Sequence, residues 1–181
     1  MKKLATDEMR RLTVEEFKAS RKLALTVVLD NVRSLNNTGS VFRTADAFRV
    51  EHIALCGITA TPPHREIHKT ALGAEDSVEW SHHDDAAAYV RELKEKGYRI
   101  YAAELAHGSL KLGVDAIEVD KPVAVVFGNE IEGVQEEVMA LCDGALEIPQ
   151  EGTKHSLNVS CAAAIVMWEI YKQKNQTGRH A

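Results

Sequence analysis

A chain of 181 residues, 45% hydrophobic and 27% charged with a net charge of −5, can bury the core of one compact domain and is not a uniformly basic protein that grips nucleic acid anywhere on its surface. Its apolar runs fall short of the ~18 residues a membrane span requires, and charged residues recur through residues 1–19 where a signal peptide would be apolar, so a cytoplasmic protein without a membrane partner is expected. Cys56, Cys142 and Cys161 are odd in number, form no CxxC pair and sit in apolar stretches, which predicts small buried hydrophobes.

Charge is unevenly distributed. Residues 1–22 hold seven basic and four acidic side chains, a balance of +3 that leaves −8 on the remainder. A basic segment on an acidic body fits a phosphate-binding patch or a solvated helix face, and charge alone leaves both open. Thr13-Val14-Glu15-Glu16 has capping-box spacing and predicts a helix over residues 13–21. Leu23 to Asp30 is nearly continuous in apolar and β-branched residues, as a strand covered on both faces requires.

A polar loop over residues 31–39 is expected next, then a helix carrying Val41, Phe42, Ala45 and Phe48. Arg43 on that helix is costly unless it faces a site or pairs with an acid such as Asp46. Residues 51–56 read as a strand, 57–63 as a loop and 64–72 as a short helix ending at Gly73. His64 and His68 share a metal-like spacing, but no third ligand is near in sequence and no metal is expected. His82-His83-Asp84-Asp85 reads as the start of a helix that continues through Ala86, Tyr89, Val90 and Leu93 to Gly97.

Strands at 98–103 and 123–127, a helix at 134–141 and a last strand at 145–148 complete an alternation of strand and helix. That alternation predicts an α/β fold, a mostly parallel sheet with helices on both faces and ligands outside the C-terminal strand ends. Three loops qualify, after Asp30, after Phe127 and after Ile148. The second, Gly128-Asn129-Glu130-Ile131-Glu132-Gly133, matches neither GxGxxG nor GxxxxGK(S/T), and its acids suit hydroxyl groups or a cation better than phosphate. In the third, Pro149 ends the strand ladder, Gly152 is expected to take a conformation closed to other residues, and Ser156 to cap a long apolar helix. That loop alone also fits an ordinary strand-to-helix turn.

Taken together, the three segments resemble the SpoU (TrmH-like) RNA 2′-O-ribose methyltransferases of the SPOUT superfamily. The motif N-x-G-x-x-x-R-(S/T)-A is matched at Asn37, Gly39, Arg43, Thr44 and Ala45, and G-x-E-x-x-G at Gly128, Glu130 and Gly133. The third, I-P-x-x-G-x-x-x-S-L-N-V-S, is matched from Ile148 to Ser160, with Gln150 where many members carry Met. The resemblance covers residues from about 23 to 173, without the separate RNA-binding domain that larger members append.

The resemblance implies a C-terminal trefoil knot, a homodimer, and S-adenosylmethionine held by Phe127, Gly128, Asn129, Gly133, Ile148, Gln150, Leu157 and Asn158. It implies Arg43, Asn37, Glu130 and Ser156 as the catalytic set, with Arg43 stabilising the developing alkoxide and a neighbouring phosphate. A guanidinium stays protonated, so a phosphate or water takes the proton. RNA contacts are expected from Arg33, Arg43 and Lys154, with Arg10 and Arg11 from a basic helical extension over residues 1–22. The knot domain is expected over 23–175 and a tail over 176–181. Transfer RNA, at a D-loop guanosine, is the expected substrate. Ribosomal RNA, or RNA binding without methyl transfer, is the alternative. A nicotinamide oxidoreductase is disfavoured because no fingerprint glycines follow any strand.

Overall fold

The computed structural model describes residues 1–5, 8–9, 11–154 and 156–177. Among these residues seven strands lie in one sheet: β1 (Leu23–Asp30), β2 (Val50–Cys56), β3 (Glu79–His83), β4 (Arg99–Ala103), β5 (Leu110–Lys111), β6 (Val123–Phe127) and β7 (Gly144–Glu147). Among the described residues seven helices accompany them: α1 (Val14–Ala19), α2 (Leu35–Ala47), α3 (Arg65–Ala71), α4 (Ala74–Ser77), α5 (Ala86–Glu95), α6 (Glu136–Leu141) and α7 (Val159–Thr177). Strand order is β3-β2-β1-β6-β4-β7-β5, and every pairing is parallel.

The sheet is parallel because each strand is followed by a crossover, and its central members are apolar because both faces are covered. All five residues of β6 are buried, and Leu25 to Asp30 of β1 are buried with them. Alternate residues feed two cores. Val27, Leu29, Val125 and Phe127 face α2, α3 and α7 through Phe42, Ile67 and Met167. Val28, Ala124, Val126 and Ile100 face α5 and α6 through Val90, Leu93 and Val138. Among the described residues no helix is long and apolar enough to cross a membrane.

Both predicted central strands, β1 and β6, form over the expected residues. The capping box also forms: Thr13 Oγ1 accepts the Glu16 N–H at 3.1 Å while Glu16 accepts the Thr13 N–H at 2.8 Å. Helix α1 is seated by Phe17, only 5% exposed in the core beneath.

The expected loop over 31–39 is mostly helix. Ser34 caps α2 by accepting the Asn37 N–H at 3.2 Å, and the helix runs on through Asn36, Asn37, Thr38 and Gly39 despite their weak propensity. Packing overrides propensity here. A Cβ on Gly39 would stand 2.3 Å from the Ile67 carbonyl oxygen and 2.1 Å from Thr70 Oγ1, so this glycine lets α2 and α3 cross closely. His82 and His83 belong to strand β3 rather than to a helix start, and Asp85 alone caps α5, accepting from the Ala87 and Ala88 N–H groups. Pairing with β2 decides this, since Leu55 and Cys56 align with His82 and His83. Cys56 is buried but Cys161 is exposed, contrary to expectation, because α7 turns that position outward.

Candidate active site

Because the strands are parallel, their C-terminal ends share one edge, with Leu29 opposite Phe127, Ala102 opposite Val126 and Ala103 opposite Leu146. At that edge, over β6, β4 and β7, lies a cavity of about 340 Å³. One wall is the loop Phe127 to Gly133, a second is Leu146 to Ile148 with Gln150, Ser156 and Leu157, and Val159 and Ala162 of α7 close the base. This is a normal place and size for a small-molecule site in a parallel sheet.

The loop after β6 keeps its shape through its own groups. Asn129, 6% exposed, accepts the Ile131 and Glu132 N–H groups on Oδ1, each at 2.9 Å, and its carbonyl accepts the Gly133 N–H at 3.0 Å. The turn closes so tightly that a Cβ on Gly128 would stand 2.0 Å from the Gly133 carbonyl oxygen. Gly133 itself has φ +69, a left-handed conformation that favours glycine.

The three motif segments meet through side chains. Asn37 Nδ2 donates to Glu130 Oε1 at 2.9 Å, and Asn158 Nδ2 donates to Asn37 Oδ1 at 3.1 Å. Asn37 reaches this point because Ser34 starts α2 early. Asn158 reaches it because it begins α7, its Oδ1 accepting from the Ser160 N–H at 3.0 Å and from the Ser160 hydroxyl at 2.7 Å. Asn158, not Ser156, therefore caps α7. Ser156 is exposed on the cavity wall. Gly152 is likewise not at positive φ, and a Cβ there would meet nothing within 4 Å, so the expected conformational demand is absent.

Of the residues expected to hold a cofactor, Phe127, Gly128, Asn129, Gly133, Ile148, Gln150 and Leu157 line the cavity, whereas Asn158 turns to Asn37 instead. Glu130 and Ser156 also line it; Asn37 and Arg43 lie outside its wall. Arg43 is exposed on α2, and its side chain has no hydrogen bond or ion pair among the described residues. The alternative partner, Asp46, accepts from the Ser77 hydroxyl at 2.6 Å. Arg11, Arg33 and Lys154 are exposed, and Arg10 lies outside the described residues.

One wall was missed. Ala103, Glu104 and Leu105, at the end of β4, line the cavity between the β6 and β7 loops. The rule that selected the other loops also points to this one, since the strand ending at Ala103 was already expected. With Glu130, Glu132 and Glu147, Glu104 gives the lining four carboxylates and, among the described residues, no cationic side chain. No group of three or more His, Cys, Asp or Glu among the described residues is placed to hold a metal. His64 instead caps α3, accepting the Glu66 N–H, and His68 pairs with Glu75.

Comparison with known proteins agrees with this geometry. Over 173 residues the chain is 39% identical to a tRNA (guanosine(18)-2′-O)-methyltransferase of Thermus thermophilus, covering 94% of this chain and 86% of that one. It superposes on the TrmH/SpoU tRNA modifying enzyme of A. aeolicus with a TM-score of 0.80 and 27% identity, covering 91% of this chain and 84% of that one. The AdoMet-bound rRNA methyltransferase of Sinorhizobium meliloti gives a TM-score of 0.77 and 28% identity, over 86% of this chain and 59% of that one. Residues 24–168 match the SpoU rRNA Methylase family, and the chain belongs to that family.

Proposed function

We propose that this chain transfers the methyl group of S-adenosylmethionine to a ribose 2′-oxygen of RNA. The observation that carries the reading is the Asn158–Asn37–Glu130 chain of hydrogen bonds, which joins the three family motifs beside the cavity. The lining suits the cofactor, because Glu130, Glu132 and Glu147, with no cationic side chain beside them among the described residues, favour a positively charged ligand and repel phosphate, whereas Glu104 turns its oxygens to backbone N–H groups. Phe127, Gly128, Asn129, Gly133, Ile148, Gln150 and Leu157 would hold it, apolar groups against the adenine and free backbone groups toward its polar edges. When bound, it supplies an electrophilic methyl group on its sulfonium.

The protein's part is to bring a poor nucleophile to that methyl. Arg43, exposed and with a side chain unpaired among the described residues, is placed to hold an RNA phosphate and to stabilise negative charge growing on the 2′-oxygen. It does not act as the base, since a guanidinium keeps its proton; a phosphate or water takes it. Asn37 fixes Glu130, and Ser156 orients the ribose at the rim. Arg33, Lys154 and the basic extension over residues 1–22, including Arg10 and Arg11, supply phosphate contacts.

A homodimer completes this reading. Leu157, just before α7, and Ile165, Trp168 and Tyr171 on it are each exposed by 37% or more, an apolar surface that a second copy would cover. A trefoil knot over the third-motif segment, in a domain spanning 23–175 with a tail over 176–181, and a cytoplasmic location belong to the same proposal. For the substrate, transfer RNA at a D-loop guanosine is favoured by the name of the Thermus relative, and ribosomal RNA by that of the Sinorhizobium structure.

Calorimetry with S-adenosylmethionine and single-turnover methyl transfer test the assignment. Arg43→Ala should lower transfer by about 10²–10³-fold while leaving cofactor affinity nearly unchanged. Near-normal transfer by that variant would remove Arg43 from the chemistry, and RNA binding with no cofactor binding would favour a homologue that does not methylate.

A further inference from the structure

The wall of the cavity that lies outside the three motifs contains one side chain with an unusual set of contacts. Glu104 Oε2 accepts the Val134 N–H at 3.2 Å, and its Oε1 accepts the Leu105 N–H at 3.0 Å. The same carboxylate fills the space beside Gly133, where an added Cβ would stand 2.3 Å from Glu104 Oε2. Glycine at 133 thus serves twice, taking φ +69 and making room for Glu104.

The contacts within residues 128–133 give the loop its shape but do not place it on the sheet. Three outside groups do. Asn37 holds Glu130, Asp30 accepts the Gln135 side-chain N–H at 2.8 Å, and Glu104 takes the backbone N–H between those two points. Among the described residues, only Glu104 both lines the cavity and anchors the loop to β4, the strand between β6 and β7.

We propose that Glu104 is a positioning residue of the cofactor site: it docks the Gly128–Gly133 loop onto the end of β4 and so sets the separation of the cavity walls. The inference rests on the cofactor reading above. What matters in it is the acceptor oxygen, which Gln also offers, rather than the negative charge. Bound S-adenosylmethionine and its neutral product S-adenosylhomocysteine should then feel the residue equally.

The test is calorimetry of the full chain with each of these two ligands, together with thermal unfolding of the unliganded protein. Glu104→Ala should weaken both ligands by about tenfold, as loss of one backbone anchor implies, with little change in unliganded Tm. Glu104→Gln should restore both to within about threefold of the original, the mark of a retained hydrogen bond. A loss confined to S-adenosylmethionine, or a Gln variant as weak as Ala, would assign the effect to charge and overturn the proposal. Unaltered affinity in Glu104→Ala, or a large fall in Tm, would overturn it as well. An original chain that binds neither ligand would refute the cofactor reading itself, and this inference with it.

Discussion

Replacing Asn37 with Ala removes both hydrogen bonds that join the three motif segments, and the structure allows the cost to be sized. The bond from Asn158 joins neutral amides and contributes about 1 kcal/mol, whereas the one to the Glu130 carboxylate lies nearer 1.5–3 kcal/mol. Both Glu130 and Asn158 are exposed, so water recovers part of the loss and about 2 kcal/mol remains, or roughly 30-fold in rate. Asn37 lies outside the cavity wall, so the deficit should fall on kcat/KM for RNA more than on cofactor affinity. Asn37→Asp keeps an acceptor for Asn158 but sets a carboxylate against Glu130, and should be at least as impaired. Single-turnover methylation with calorimetry checks both variants. If each retained kcat/KM within about threefold, the hydrogen-bonded link would be incidental to the reaction.

Gly128→Ala would place a methyl 2.0 Å from the Gly133 backbone and should abolish cofactor binding, which calorimetry can register. Acid should destabilise the protein through His52 and His83, which share the Ser81 hydroxyl at 2.8 and 2.7 Å. Burial first pushes both below the usual histidine range, aided for His52 by the His83 imidazole and, for His83, opposed by Glu92 and aided by His82. Below about pH 6.5 the unfolded chain therefore takes up protons before the folded one, and stability falls as pH falls. Urea titrations from pH 7 to 5 should show this slope, reduced in a His52→Gln, His83→Gln double variant. Neutralising Lys2, Lys3, Arg11, Lys18 and Arg21 to Gln should weaken tRNA binding and flatten its salt dependence, leaving Tm and cofactor affinity intact. Substitution is the cleaner test than truncation, because deleting residues 1–20 would also remove Phe17 from the core. An unaltered salt slope would mean that α1 only packs.

The sheet was legible because burial on both faces writes an uninterrupted apolar run, and β1 and β6 carry one each. What escaped depends on tertiary contact. The short strand β5, Leu110–Lys111, has too few residues for a pattern and exists by pairing with β7. Asn36 to Gly39 looked like loop because their propensities are poor, yet the crossing with α3 keeps them helical. Most of the cavity was readable from motif residues, since glycines and acids at strand ends have a shared chemical purpose. Glu104 was not, because a lone acid after a strand carries no spacing signal; its bond from the Val134 N–H and its close approach to Gly133 mark it. Which of two polar residues caps α7 was also undecidable from composition, and the reach of Asn158 toward Asn37 settles it.

The most direct test of the central claim is product analysis after incubating the purified protein with S-adenosylmethionine and unmodified transfer RNA. Nuclease digestion and mass spectrometry should reveal 2′-O-methylguanosine from the D-loop, and a transcript with a 2′-deoxyribose at that nucleotide should accept no methyl group. Methyl groups recovered on bases, or methylation that persists on the 2′-deoxy transcript, would contradict ribose 2′-O transfer.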